Sequence, residues 1–171
     1  FAALHQAAWS SGNFLYVPRN VCIEKPIHVY SGLTEGGSDF SHTVIVLEEG
    51  AEATVLAESA CDDSVSGLHN GGIELFVGAR ANLRYVNLHD WSQKVWHFGH
   101  QKATVGQDAN LQWTVGALGA KLAKVNQQVT LTGKRANCQV NGVLFTEDKQ
   151  HLSYHTLQHH KAPHCTSDFL Y

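Results

Sequence analysis

The densest group of ionisable side chains lies in the last third of the chain. His151, His155, His159, His160, His164 and Cys165 fall within fifteen residues. Imidazole and thiolate are ligands for zinc, iron and copper, so a metal site is one reading of this run. The spacing fits neither His-Glu-x-x-His nor a C2H2 finger, and no His-x-His with a distant Glu suggests a cupin. The preferred reading is a polar, hydrogen-bonded histidine ladder. His151, Ser153 and His155 share one face of a strand at period two, with His159 nearby.

The thiols are the other reactive groups. Cys22, Cys61, Cys138 and Cys165 contain no Cys-x-x-Cys pair and are too sparse for a disulfide scaffold, so reduced thiols in a cytosolic protein are expected. Cys61 falls in Glu58-Ser59-Ala60-Cys61-Asp62-Asp63-Ser64, read as a polar connection. A loop thiol is open to chemistry, although two neighbouring carboxylates oppose the thiolate. Cys138 occupies an apolar strand position and reads as a small core hydrophobe. No nucleophile–base pair stands out, so no catalytic residue is assigned.

What must position these residues is a repeat. Gly50-Ala51-Glu52-Ala53-Thr54-Val55 is followed by Gly78-Ala79-Arg80-Ala81-Asn82-Leu83. Then come Gly106-Gln107-Asp108-Ala109-Asn110-Leu111 and Gly133-Lys134-Arg135-Ala136-Asn137-Cys138, with the glycines 28, 28 and 27 residues apart. Such a period marks a solenoid. Apolar residues three, five and seven places after each Gly alternate at period two, as in Ala81/Leu83/Tyr85 and Ala109/Leu111/Trp113, so each segment is a strand with one apolar face. Short apolar runs precede each corner: Val44–Leu47, Ile73–Val77, Ala103–Val105 and Val129–Leu131. One coil is therefore strand, tight corner, strand and long return, and it must stack on its neighbours to cover its apolar face. The reading predicts an all-β, right-handed parallel β-helix of about 28 residues per coil, the hand following the rule for parallel crossovers. Ala53, Ala81, Ala109 and Ala136 are expected to form one column. Gly116–Lys124 reads as a return segment, its two glycines arguing against a helix.

The N-terminal stretch is less regular. Phe1–Ser10 has weak helical periodicity, with Phe1, Leu4, Ala8 and Trp9 near one face, and Gly12 is expected to end it. Phe14–Val17 reads as a strand into a Pro18 corner, opening an atypical first coil whose pairing Pro26 limits. Ser31–Asp39 reads as a surface loop; Gly32, Gly36 and Gly37 make no phosphate-binding pattern.

Composition bounds the function. At 171 residues, 43% hydrophobic, one domain over 1–171 is expected. The net charge of −3 lacks the basic excess of a nucleic-acid-binding face. No apolar run reaches the length of a membrane span. The chain begins at Phe1 without Met, and is read as a piece of a longer protein.

One stretch carries a resemblance. Leu144-Phe145-x-x-Asp148-Lys149-Gln150-His151-Leu152-x-Tyr154-His155-Thr156-x-x-x-His159-x-x-x-Pro163-His164-Cys165-Thr166-Ser167 resembles the core of the SufB/SufD family of iron–sulfur cluster assembly proteins, the SufD branch in particular. Tyr16–Val21, Glu48–Ala51, Ala81–Tyr85 and Leu118–Leu122 agree in order, so the resemblance covers nearly the whole chain. It implies a parallel β-helix serving as a scaffold subunit without turnover of its own. Its partners would be a SufB-like paralogue and the SufC ATPase, the latter bound through a C-terminal helical region beyond Tyr171. It implies no resident cofactor here, an iron–sulfur cluster held transiently by the full complex, and a cytoplasmic setting, or a plastid in a plant or alga. The family's interface cysteine and histidine also lie beyond Tyr171. SufB carries a sulfur-accepting Cys in a Glu-Gly-Cys loop. Here Glu58-Ser59-Ala60-Cys61 puts the thiol one place later without the Gly, and the SufD branch is not expected to use it.

Two other classes stay open on the residues alone. Parallel β-helices also house carbohydrate-active enzymes, which need clustered carboxylates or Arg/Lys bases in a groove. The His151–Cys165 run could instead form a zinc-binding module. Bare strand edges at the ends of the solenoid also predict self-association.

Overall fold

The computed structural model describes residues 1–171. One helix, α1 (Ala2–Ala8), precedes thirteen strands. They are β1 (Ser11–Val17), β2 (Ile27–Gly32), β3 (Gly37–Asp39), β4 (Ser41–Leu47), β5 (Glu52–Ala60), β6 (Ser66–Val77), β7 (Asn82–Asp90), β8 (Lys94–Val105), β9 (Asn110–Ala117), β10 (Leu122–Leu131), β11 (Asn137–Leu144), β12 (His151–His160) and β13 (Thr166–Leu170). All strand pairings are parallel. One sheet runs β1-β4-β6-β8-β10-β12, with β3 also on β6; the other runs β13-β11-β9-β7-β5-β2. From β4 onward successive strands alternate between sheets. Each coil thus lays one strand on either side of a shared interior, giving a β-solenoid of about six turns and roughly 28 residues per turn. No helix is long and apolar enough to cross a membrane.

Period-two patterning becomes strict alternation: β7 and β8 bury every second residue. The inward residues of both sheets form a 22-residue apolar cluster in which Leu75, Val105, Leu111, Trp113, Leu131 and Cys138 are fully buried. Cys138 is a core residue, as expected.

The alanine column exists with one member changed. Ala51, Ala81, Ala109 and Ala136 line up, all 0% exposed. Ala53 belongs instead to the next column, with Leu83, Leu111 and Cys138. The physical reason is that glycine does two jobs here. At this corner each coil has one residue with positive φ: Asn20, Gly50, Arg80, Asp108, Arg135 and His164. Gly50 holds that left-handed position, where glycine bears no steric penalty. Gly78, Gly106 and Gly133 stand two residues earlier, where the neighbouring coil comes too close for a side chain. A Cβ on Gly133 would lie 1.9 Å from the Gln107 amide nitrogen. Aligning the glycines therefore misplaced the first coil by two residues. Along one outward column the spacings are 30, 28, 27 and 29. In that column Asn82 donates to Glu52, Asn110 to Asn82, Asn137 to Asn110 and Thr166 to Asn137, a bonded amide ladder on the outer face.

Three N-terminal expectations are corrected. Helix α1 ends at Ala8, and Gly12 lies within β1, where a Cβ would strike the His42 carbonyl. The helix buries His5 rather than its apolar stripe; Leu4 and Trp9 remain exposed. Ser31–Asp39 is not wholly loop, because the bare backbone edge of β6 recruits Gly37–Asp39 as β3. Between β1, which pairs along its length with β4, and Pro26 the first coil forms only the isolated Cys22–Glu52 bridge, so that coil is atypical as read.

Candidate functional site

The histidine-rich run lies mostly on β12, at one end of its sheet. His151, His155 and His159 share an exposed face, as their spacing predicted. They do not form a bonded ladder. Register places them beside Leu122, Asn126 and Thr130, so no imidazole meets another across the pairing. His160 Nε2 meets Ser167 Oγ at 2.9 Å. His164 occupies the positive-φ corner, and Cys165 donates its thiol to the Gly133 carbonyl at 3.2 Å. No three His, Cys, Asp or Glu side chains gather round one point at metal-holding geometry.

Cys61 is also placed differently. Strand β5 runs through Ala60, so the thiol sits at the turn after it, half-buried against the small apolar cluster of Trp91, Val95, Ala120 and Ala123. Its Sγ accepts the Ser92 N–H at 3.4 Å. The polar sequence around it hid an inward-facing position that Trp91 covers.

What the structure does bring together is a polar interior between these two apolar clusters. Asp39 on β3, His69 on β6 and His97 on β8 are successive members of one inward column. On the facing sheet Ser31, Ser59 and His89 form another. His69 Nε2 lies 3.3 Å from Asp39 Oδ2, and His69 Nδ1 lies 2.7 Å from His97 Nδ1. The rings of His89 and His97 are 4.4 Å apart, and Tyr154 Oη meets His89 Nδ1 at 3.0 Å. Trp91 packs on His69 at 5.0 Å. With Asp39 as carboxylate, one assignment of ring protons fits: His69 Nε2–H donates to Asp39, and His97 Nδ1–H donates to His69 Nδ1. This leaves the lone pair of His97 Nε2 buried without a partner. Asn87, Gln101 and Gln127 each also carry an unpartnered buried atom. A cavity of about 40 Å3 lies among His97, Asn87 and Gln101, lined also by Thr43 and Ser59. That is room for ordered water, which such groups require.

Burial governs the electrostatics. Desolvation pushes His69 down to about 4 and His89 down to about 3, with neighbouring imidazoles adding to both, and holds His97 well below the usual histidine value. At neutral pH these rings are uncharged hydrogen-bonding groups. They are too weakly basic to serve as general bases, whose pKa must lie near the operating pH.

A second group of imidazoles lies outside. His5 of α1 packs on the outer face of a sheet beside His42 of β4 and His100 of β8, with ring centroids 5.2 and 4.8 Å away. Neither group shows as a cluster along the chain. The signal that finds the interior one is the repeat itself: His69 and His97 stand 28 residues apart.

Comparison with known proteins identifies the family. Residues 30–171 match the family described as SUF system FeS cluster assembly, SufBD core domain. The chain is 31% identical over 169 residues to an iron-sulfur cluster assembly SufBD family protein of Staphylococcus epidermidis, covering 98% of this chain and 36% of the relative. Family members of Staphylococcus haemolyticus and Staphylococcus aureus are 31% and 30% identical over 171 residues, with the same shares covered. The chain thus spans about a third of the length of these relatives. The repeat, the parallel solenoid and these matches converge on one conclusion: this chain belongs to the SufBD core family of the SUF iron–sulfur cluster assembly system.

Proposed function

We propose that this chain is the β-helix core of a SufD-like scaffold subunit, which acts in cluster assembly with a SufB-like paralogue and a SufC-like ATPase. The observation that carries the SufD assignment is the state of Cys61. Its thiol is half-buried, receives the Ser92 N–H and packs on the Trp91 cluster, with Ala60 rather than glycine before it. A sulfur acceptor needs an accessible thiolate, so this environment supports the branch that does not use the thiol. The scaffold role draws support from the chemistry of the interior, whose histidines are held neutral and face no nucleophile poised for attack. Glu49 pairs with Arg19 and Arg80, and Asp108 with Arg135, between neighbouring coils, so these carboxylates serve the stack rather than a carbohydrate-cleaving groove. The iron–sulfur cluster is then cargo of the full complex rather than a resident group of this core. The ATPase binds through the region following Tyr171, and the setting is cytoplasmic, or plastid in a plant or alga.

Co-expression of the full-length protein with its candidate ATPase and paralogue tests the reading. A stable complex of all three, whose cluster content survives Cys61→Ser, is expected. Failure to co-purify with either partner, or loss of cluster assembly in Cys61→Ser, would overturn the SufD assignment. Self-association of the core alone follows from the end strands β12 and β13, each hydrogen-bonded on one side only. Light scattering that shows a monomer at high concentration would refute it.

A further inference from the structure

Helix α1 is fixed to the solenoid in an unusual way. Its one buried side chain is His5, 1% exposed, on the outer face of the sheet rather than in the core. His5 Nε2 lies 3.0 Å from the Ser41 carbonyl oxygen, so Nε2 carries the proton and donates it there. That leaves the His5 Nδ1 lone pair facing His100 Nε2 at 3.1 Å. The space for this pair is reserved by Gly72 of β6. A Cβ there would lie 2.8 Å from His5 Cε1 and 2.9 Å from His42 Nδ1. Open cavities flank the rings on both sides, one of about 600 Å3 lined by His5, Trp9 and His42, the other of about 590 Å3 lined by His42, Glu74 and His100.

We propose that His5 Nδ1 and His100 Nε2 form a two-imidazole clamp for a divalent transition-metal ion, with water completing its coordination and the bound ion stapling α1 to the sheet. Two geometric features point to it. Two nitrogens each about 2.1 Å from one ion stand about 3.0–3.4 Å apart at octahedral to tetrahedral angles, and the observed 3.1 Å falls in that range. A metal-bound histidine characteristically donates its other ring N–H to a carbonyl or carboxylate, which fixes the ring; His5 already does so to Ser41. The ion replaces the hydrogen bond between the two rings. His100 moves its proton from Nε2 to Nδ1, so the pair ligates as neutral imidazoles without net proton release. A set of two nitrogen ligands with oxygen donors suits zinc, cobalt or ferrous iron rather than calcium or magnesium. The site is separate from the interior row and from the His151–Cys165 run.

The test is calorimetric titration of the untagged full-length protein with zinc chloride and, separately, cobalt chloride. His5→Ala, His100→Gln and a His155→Ala/His159→Ala control are titrated in parallel. The expected result is a binding event weakened at least about tenfold in both clamp variants, the scale that even outer partners of a metal site command, and unchanged in the control. Hydrogen exchange gives a second reading that needs no variant: zinc should raise protection of the Ala2–Ala8 amides. No zinc or cobalt binding by the parent, binding lost in the control but kept in the clamp variants, or zinc binding with no added protection of α1 would each overturn the proposal.

Discussion

Two neighbouring parts of the interior, the large apolar cluster and the polar row beside it, are built on one backbone. Beside the positive-φ corners the inward columns are apolar: Ala51/Ala81/Ala109/Ala136, Ala53/Leu83/Leu111/Cys138 and Val55/Tyr85/Trp113/Val140. Farther along the same strands they become polar, with Asp39/His69/His97 facing Ser59/His89. The difference teaches what a stacked coil demands. Because like positions lie above like, an inward polar residue can be satisfied by its column neighbour, so register supplies the partner that burial requires. The apolar part draws its stability from packing, and the polar part from a row of hydrogen bonds that must stay neutral.

Four measurements sharpen or break that contrast. The largest effect belongs to the apolar part. Trp113→Ala removes a fully buried side chain in edge-on contact with Tyr85 and should cost about 3–5 kcal/mol in urea unfolding. Next comes acid. The folded-state affinities of His69 and His89 for a proton lie below the ordinary value of 6.5. Their unfolded forms therefore bind protons first, and the stability they contribute is complete above about pH 6.5 and lost as pH falls toward about 4 for His69 and about 3 for His89. The unfolding midpoint should drop through that window in the parent and drop less steeply in His69→Gln; equal slopes would show that the polar part does not govern the acid limit. A smaller loss is expected from His97→Leu, which leaves His69 Nδ1 buried without its donor, at about 1–3 kcal/mol partly offset by the added apolar surface. Arg135→Ala should leave the midpoint unchanged within error, because its pair with Asp108 is exposed and belongs to neither part.

Much of the fold was legible because apolar residues at period two declare strands, and a recurring corner declares a solenoid. The error at Ala53 arose where one residue type serves two purposes: Gly50 accepts a left-handed backbone, whereas Gly133 makes room for the neighbouring coil. The same alignment held the key to the interior site. His69 and His97 are separated by one period, yet a search for residues crowded along the chain found His151–Cys165 instead. Crowding along a strand puts alternate side chains on opposite faces, which is why His155 and His160 do not converge. The half-buried place of Cys61 is hidden in the sequence for a related reason. Its polar neighbours described the turn, while its exposure is set by the Trp91 cluster it packs against, distant in sequence and adjacent in space.

The two bends of each coil differ in their freedom to change length. At the bend that holds Gly50, Arg80, Asp108 and Arg135 the chain between strands is nearly constant after the first coil, from Glu48–Ala51 to Thr132–Ala136. At the opposite bend it ranges from Trp91–Gln93 to Phe145–Gln150. One edge of the molecule is thus a fixed spine and the other a margin where residues can be added without disturbing the stack, at little more than the entropy of a longer loop. Lineages that diversify this core should accumulate their insertions along that margin, leaving the spine the same length in all of them.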